Sequence, residues 1–400
     1  MHILLIHQAF ASINQPGGTR HHEIARSLVK AGHKVTIIAS PISYLTGKST
    51  KDNLETEPGL TILRSYTYPS LHKSFFHRLI SFLSFMVSSF FNGMKVAKVD
   101  VVWGTSPPIF QGFTAWLIAK LKRKPFLFEV RDLWPEFAIA VGVLKNPLLI
   151  RASRWLERFL YRNAKTVIVN SPGYTDYVST RGARDVKLVP NGVDPEMFIA
   201  PNQGAVFRRE NGLTDHFIVL YAGAHGVSND LGVVIKCAKL LQDHTDILFV
   251  LVGDGKDKPL LLQKAQEFGL KNIRFLPPVP KSQMAEVLAA ADVCLAILKP
   301  LECYKTTYPN KVFDYMAAAK PILLAIDGVI RQVVEQAGCG IAIPPGEEAE
   351  MAAAVLWFKQ NPSEAKKMGK AGFDFVKINF NRNVLSAQVA DIITNLIQND

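Results

Sequence analysis

Three stretches of the chain set glycine beside polar or charged residues at spacings that suit phosphate chemistry. The first is Gly17-Gly18, just ahead of Arg20. Glycines between a strand and a helix let a ligand approach the backbone and leave the helix's first N–H groups free for an anion. Their spacing is not GxGxxG, so a nicotinamide or flavin dinucleotide is disfavoured. The second is a pair of turns, Gly223-Ala224-His225-Gly226 and Val252-Gly253-Asp254-Gly255, each directly after an apolar run. Ligands of open α/β sheets bind beyond the carboxyl ends of strands, so two such turns suggest a nucleoside diphosphate site; ordinary tight turns are the plainer alternative. The third runs from Lys305 to Ala317. Pro309 and Asn310 are helix-start residues, and Thr306 and Thr307 offer hydroxyls just before them. A carboxylate at Asp314 can accept two hydrogen bonds from a ribose diol, and Lys305 and Lys311 can neutralise a diphosphate. Taken alone, this stretch favours a plain surface helix start with ordinary charges.

The elements that must position these residues follow from periodicity. HILLIHQAF, HKVTIIAS, VDVVWGTS, PFLFEVRD, AKTVIVNS and KLVPN are strand-like runs of the first half. FIVLYAG, DILFVLVGDG, IRFLPPV, DVCLAIL and PILLAI are those of the second, with helical stretches such as 230–242 and 258–268 between them. Buried β-branched runs separated by helices indicate parallel sheets covered on both faces. A length of 400 residues exceeds what one core usually serves, so two doubly wound α/β units in series are expected. The boundary falls in the turn-rich Asn191-Gly192-Val193-Asp194-Pro195, giving domains over 1–190 and 191–380, with 381–400 a last helix packing back on the first.

Residues 1–200 hold 25 Lys+Arg against 13 Asp+Glu, whereas 201–400 hold 21 of each, so the whole net charge of +12 lies in the first half. That suits either a basic soluble surface or attraction to anionic headgroups or a phosphorylated acceptor. Residues 75–91, FFHRLISFLSFMVSSFF, are dense in Phe and Leu, but only Leu79–Phe91 is uncharged. A membrane span needs about 20 apolar residues, so the segment is a buried helix or one lying in a membrane interface. His72, Lys73, His77 and Arg78 precede it, Lys95 and Lys98 follow, and Lys120, Lys122, Arg123 and Lys124 form a further basic cluster. The N-terminal MHILLIHQAF lacks a basic lead and reads as a strand rather than a signal peptide. Cys237, Cys294, Cys303 and Cys339 form no CxxC pair and read as reduced thiols. No HxxxH, DxD or Cys/His cluster has metal-ligand spacing, so neither metal nor cofactor is expected.

GGTRHHEIARSLVKAGHKVTIIA, TSPPIFQG, FEVRDLWPE, LVPNGVDPEMF, LYAGAHG, LVGDG, RFLPPVPKSQMAEVLAAADVCLA and PNKVFDYMAAAKPIL run in this order across nearly the whole chain. In these residues it resembles the family 4 retaining glycosyltransferases of GT-B fold, and among them the bacterial O-antigen, capsule and colanic-acid enzymes of fucosamine-transferase type. The resemblance implies two Rossmann-like domains facing across a cleft, the second holding a nucleotide sugar and the first the acceptor. Two glutamates seven residues apart usually flank the donor. The second aligns with Asp314, on a shorter arm, and the first with Thr306, which has no carboxylate. The Arg and Lys of the usual phosphate clamp are absent too: Ala224 stands at the Arg position and Ser228, Asn229 and Asp230 fill the Lys region. The diphosphate would then rest on Lys305, Lys311, the N–H groups of Thr306, Thr307 and Tyr308, and the glycines Gly223, Gly226, Gly253 and Gly255. Arg131-Asp132 occupies the place of a frequent His-Asp pair. Arg131 would orient phosphate or acceptor with Asp132 and Glu129 fixing it; Gly17, Arg20 and Glu129 would lie on the acceptor side, and Gly18, Arg131, Asp132, Thr306 and Asp314 would form the catalytic set.

The activity so implied is transfer of a sugar, an N-acetylated amino or deoxy sugar, from a UDP donor to a polyprenyl-diphosphate-linked saccharide. It would take place at the anionic inner face of the cell membrane, with no nucleic-acid partner. The leaving diphosphate can itself take the acceptor proton, which suits a site without an obvious carboxylate pair. A sugar-nucleotide 2-epimerase of the same fold, or a non-catalytic membrane-associated partner, are the alternatives.

Overall fold

The computed structural model describes residues 1–50, 54–70, 75–199 and 203–398, so His72 and Lys73, ahead of the Phe-rich segment, lie outside the described residues. The chain divides into two compact units. The first comprises Met1–Ile13, Gly17–Pro190 and the C-terminal segment from Arg382; the second is Asn191–Asn381 with Asn14–Pro16.

The first unit is built on β1 (His2–Ile6), β2 (Lys34–Ala39), β3 (Leu54–Glu57), β4 (Leu60–Arg64), β5 (Val101–Ser106), β6 (Phe126–Val130), β7 (Thr166–Val169) and β8 (Val186–Leu188). They form one sheet in the order β3-β4-β2-β1-β5-β6-β7-β8. All pairings are parallel except β3 with β4. β1, β5, β6 and β7 are buried along their whole length, as strands covered on both faces must be. The β3–β4 hairpin turns at Gly59, and its outer strand carries the half-buried Glu55, paired with Arg64, and the exposed Glu57, a charged edge that resists further pairing. The helices are α1 (Arg20–Lys30), α2 (Phe75–Lys95), α3 (Phe110–Lys122), α4 (Glu136–Ala140), α5 (Pro147–Asn163) and α6 (Thr175–Thr180). One side of the sheet packs Phe85, Ile118 and Leu160 of α2, α3 and α5. The other packs Ile24 and Leu28 of α1.

The second unit contains β9 (Phe217–Ala222), β10 (Ile247–Val252), β11 (Ile273–Leu276), β12 (Val293–Ile297), β13 (Ile322–Ala325) and β14 (Gly340–Ala342), in the order β11-β10-β9-β12-β13-β14 and parallel throughout. Its helices are α7 (Gln203–Glu210), α8 (Leu231–Leu240), α9 (Lys258–Glu267), α10 (Met284–Ala289), α11 (Asn310–Ala317), α12 (Val329–Ala337), α13 (Glu348–Gln360) and α14 (Pro362–Asn379). The chain then returns to the first unit as α15 (Arg382–Gln398), whose Leu385, Val389, Ile393 and Leu396 join the core beside α1. Both units are thus Rossmann-like. Each sheet reverses its winding once, between β1 and β5 and between β9 and β12. In such sheets the crevice beyond the carboxyl ends of the strands at the reversal is where ligands bind.

Candidate functional site

In the second unit, the winding reversal gathers most of the donor-side residues. The Gly223–Gly226 turn leaves β9, and the Glu302–Thr306 helical turn and α11 follow β12. The two turns are joined where Tyr304 Oη donates to Ser228 Oγ at 2.5 Å. Gly253 has φ +149°, and a Cβ there would collide with the carbonyl oxygen of Gly223. A Cβ on Gly255 would strike the backbone of His225. These glycines therefore let two loops stack against each other. Lys311, in the first turn of α11, reaches under the same place. Its ammonium donates to Tyr221 Oη at 2.7 Å and lies 3.4 Å from Asn229 Oδ1. A Cβ on Gly223 would come within 2.9 Å of it. Burial pulls the Lys311 ammonium down to about 7, with no carboxylate beside it among the described residues. His225 is fully buried in the first turn, and neither ring nitrogen has a hydrogen-bond partner among the described residues. Burial, then the charges of Lys258 and Lys311, hold His225 down to about 4, against the pull of Asp254. Lys258 itself donates to the Gly253 carbonyl at 2.7 Å, tying α9 to the second turn.

The other donor-side residues are placed differently. Lys305 is solvent-exposed and pairs with Glu302 at 2.6 Å. Thr306 Oγ1 donates to the Cys303 carbonyl at 2.7 Å, and the Tyr308 carbonyl accepts from Asn191 Nδ2 at 2.8 Å. Asp314, one turn further along α11, forms an ion pair of 2.5 Å with Lys281, itself nearly buried and lying over the Phe198 ring. Gly226 and Thr307 sit in the turns on either side.

In the first unit, the corresponding crevice lies beyond β1 and β5. Gln111, in the first turn of α3, bridges the two loops: it accepts from Gln8 N at 2.5 Å and donates to the Thr105 carbonyl at 2.8 Å. Arg131, just past β6, donates to the carbonyls of Ser106 and Pro107 at 3.2 and 3.1 Å. Burial raises Asp132 to about 6, with Arg131 opposing. Gly17 has φ +141° and faces Tyr44 and Ala11, whereas a Cβ on Gly18 would meet only Tyr44 Oη, at 3.9 Å. Gly18 N donates to that hydroxyl at 2.9 Å.

Glu129 does not hold Arg131, as sequence reasoning expected. Its fully buried carboxylate accepts from Arg20 Nε at 2.8 Å and pairs with His21 Nε2 at 2.7 Å. Arg20 also donates to the carbonyls of Pro190 and Val189 at 2.7 and 2.8 Å. Burial opposes the charge on Glu129, but His21 and Arg20 outweigh it and hold the carboxyl well below the usual range. Burial pulls His21 down to about 4 although Glu129 draws it up. At neutral pH the trio is therefore Arg⁺, carboxylate and a neutral imidazole donating through Nε2. The His7 ring lies 4.4 Å from that of His21, and burial, Arg131 and His21 together keep it well below its usual range. Sequence reasoning passed over His7, His21, His225, Lys258 and Lys281; the Arg-His-His-Glu run after Gly17-Gly18 was the available signal for His21.

Cys237, Cys294 and Cys339 are buried thiols, each raised to about 12 by burial, and Cys303 is half-buried. Among the described residues, no group of three or more His, Cys, Asp or Glu side chains is arranged to hold a metal ion.

Two family descriptions fit this arrangement. Residues 17–192 match the "Glycosyl transferase 4-like domain" and residues 205–375 the "Glycosyl transferases group 1". The chain belongs to these glycosyltransferases and is a sugar-transferring enzyme. It is 27% identical over 76% of its length, and 76% of the relative's, to the putative colanic acid biosynthesis glycosyl transferase WcaI of Escherichia coli (strain K12). In fold it is similar to the sucrose-phosphate synthase of Thermosynechococcus elongatus, with a TM-score of 0.81, 17% identity and all of both chains covered. It is also similar to Anabaena HepE solved with UDP-glucose, with a TM-score of 0.74 and 15% identity over 99% of this chain and 100% of that one.

Proposed function

We propose that the chain moves a sugar from UDP to a saccharide carried on a polyprenyl diphosphate, with retention of the anomeric configuration, during assembly of a bacterial surface polysaccharide. The sugar we propose is N-acetylated amino or deoxy, in keeping with the motifs shared with fucosamine-type transferases. The setting we propose is the inner face of the cell membrane.

The observation that carries this reading is the stack of glycine turns over Lys311 at the winding reversal of the second unit. It combines close backbone approach with a cation that has no carboxylate partner among the described residues, which is what a diphosphate requires. A neighbour of the same fold was solved with UDP-glucose, which supports UDP as the nucleotide. In the proposed reaction the bond from the anomeric carbon to the diphosphate breaks with oxocarbenium character. The acceptor hydroxyl forms its bond on the same face, and its proton passes to a diphosphate oxygen. Lys311 and the N–H groups of Thr306 and Tyr308 stabilise the charge that develops on the leaving group, the Thr307 N–H being already bonded to the Tyr304 carbonyl at 3.2 Å. Asp314 would hold the ribose. Gly18, Arg131 and Asp132, with the Arg20–Glu129–His21 trio behind them, would form the acceptor side.

The test is a thermal-shift panel of UDP-, GDP- and dTDP-sugars, followed by transfer to a lipid-linked saccharide. UDP-sugars should raise the melting temperature with the logarithm of their concentration, and Asp314→Ala should lose most of that shift. A chain that answers only to GDP or dTDP donors, or epimerises the UDP-sugar with no acceptor present, sinks the proposal.

A further inference from the structure

The loop that follows β2 reaches over the Gly17-Gly18 turn. Its residues 40–50 form a small hairpin that holds its own shape. Ile42 bridges to Ser49, and Ser43 N donates to the Lys48 carbonyl and Gly47 N to the Ser43 carbonyl, both at 2.9 Å. Thr50 N donates to the Pro41 carbonyl at 2.8 Å, and Gly47, at φ +69°, makes the reversal. The base is tied to the sheet. Ser40 N donates to the Gln8 carbonyl at 3.2 Å, and Arg64 Nη1 donates to the Ser40 carbonyl at 3.1 Å. The hairpin therefore presents Tyr44 from a backbone that is already ordered, so little entropy is left to lose when a ligand meets it.

Tyr44 lies across the two glycines. Its Oη accepts from Gly18 N at 2.9 Å, and a Cβ on Gly17 would come within 2.9 Å of that oxygen and 3.0 Å of Cε1. The bareness of Gly17 thus makes room for the phenol. The N–H that a phosphate could have taken is already bonded to a neutral hydroxyl, whose oxygen repels an anion. Two hydrogen-bonding groups beside it stay unsatisfied. Among the described residues the Tyr44 O–H finds no acceptor and the Asp132 carboxyl no donor. The charges of Arg131 and Asp132 both act on the phenol, which brings the three to one crevice of the first unit. Tyr44 is 45% exposed, so a large part of its ring remains open to a ligand.

An apolar ring, an O–H donor and a carboxylate acceptor in one crevice suit a neutral polyol better than a phosphate. Sugars set their C–H faces on aromatic rings and match each hydroxyl to a donor or an acceptor. We infer that Tyr44 is a specificity-determining residue for the accepting saccharide, its ring packing on the sugar and its phenolic O–H donating to one of the sugar's hydroxyls. The Gly17-Gly18 turn then serves the acceptor through Tyr44 and not as an anion seat. The inference rests on the proposed saccharide acceptor and adds which part of it lies at this turn: the sugar, with the diphosphate elsewhere.

The full chain would be assayed for transfer from UDP-sugars to polyprenyl diphosphates bearing glucose, galactose, N-acetylglucosamine or N-acetylgalactosamine. Monodeoxy forms of the active acceptor would follow. Tyr44→Phe keeps the ring and loses only the O–H. It should raise the acceptor KM about 3- to 10-fold and leave the donor KM and the melting temperature near wild type. Tyr44→Ala, which loses the ring as well, should raise the acceptor KM about 30-fold or more. One monodeoxy acceptor should be as poor for the wild type as the parent acceptor is for Tyr44→Phe. Loss of that same hydroxyl should cost the variant nothing further, a coupling that a merely structural tyrosine does not produce. Wild-type kinetics in Tyr44→Phe, or additive losses with every deoxy acceptor, would overturn the inference and leave the acceptor reading standing. So would faster transfer by Tyr44→Ala, the result of lifting a plug from an anion seat. Absence of transfer by the wild type to all four acceptors would overturn the acceptor reading, and the inference would fall with it.

Discussion

Lys311 was visible in the sequence as a cation near a helix start, but its surroundings were not, because Tyr221 and Asn229 lie 90 and 82 positions away. Those surroundings decide its chemistry. A lysine held at about 7 is half-neutral in the empty enzyme, and a diphosphate placed beside it restores the charge. UDP binding near pH 7.5 should therefore take up a fraction of a proton, seen as a calorimetric enthalpy that changes with the buffer's ionisation enthalpy. Lys311→Met should abolish that uptake and weaken UDP by about 10- to 100-fold, charge-assisted contacts being worth ~1.5–3 kcal/mol. Glu129 was readable as a buried strand residue, yet its partners Arg20 and His21 come from more than 100 positions away. Glu129→Gln leaves Arg20 charged and buried without its counter-ion, and should lower unfolding free energy by about 3–5 kcal/mol in urea titrations. Acid acts on the same residues. His21 and His225 are both lowered to about 4, so between pH 6.5 and 4 the unfolded chain binds protons that the native chain refuses. That component of stability is present above pH 6.5 and lost as pH falls towards 4. Asp132, raised to about 6, adds a smaller component of opposite sign between its unfolded value and pH 6. His7, held well below its usual range by burial, Arg131 and His21, adds to the histidine side, while Glu157, raised to about 7 by burial, joins Asp132 on the other. With His7, His21 and His225 set against Asp132 and Glu157, the urea midpoint should be lower at pH 5 than at pH 7; a midpoint that rises on acidification contradicts this assignment.

At the scale of elements, the long apolar strands were the most legible part of the chain. β1, β5, β6, β7, β9, β10 and β12 are buried runs whose composition leaves few other conformations. The β3–β4 hairpin and β14 escaped notice because they are short, partly exposed and carry mixed polarity. The glycines divide by mechanism in a way composition cannot reveal. Gly253 is required by its own fold: φ of +149° and the Gly223 carbonyl leave no room for a side chain. Gly253→Ala should collapse the paired turns and cost both stability and UDP binding. Gly18 is different, since a Cβ there meets nothing closer than 3.9 Å within the first unit. If its bareness serves the acceptor, Gly18→Leu should fold with a melting temperature close to wild type and yet lose transfer. Wild-type turnover in that variant would remove Gly18 from the site. The two substitutions thus separate a glycine needed by the chain from one proposed to serve a ligand.

For the molecule as a whole, the main stretch of the second unit, Asn191–Asn381, is entered at one point and left at another, and α1 holds the first unit's side of both. Arg20 at its start grips the Val189 and Pro190 carbonyls where the chain leaves for the second unit, and Glu23 receives Arg382 Nε at 2.9 Å where it returns. Two units were legible from chain length and from repeated strand patterning, but α1's double duty was not, because it depends on contacts spanning 170 and 359 positions. Two cores with separate ligand crevices make calorimetry decisive for where the nucleotide binds. A ligand stabilises the unit that holds it by RT ln(1 + [L]/Kd), about 2.7 kcal/mol at a hundredfold excess over Kd. If the second unit grips UDP, the scan should show a UDP-dependent transition that Glu129→Gln leaves responsive, although that variant weakens the first unit. Asp314→Ala alone is ambiguous, because it also strands the nearly buried Lys281. Lys281→Met/Asp314→Ala removes the charge and the carboxylate together. If Asp314 serves the ribose, the double variant should recover stability without recovering the UDP shift. If its carboxylate serves only to neutralise Lys281, the shift should return with the stability, and Asp314 would then belong to the scaffold of the second unit.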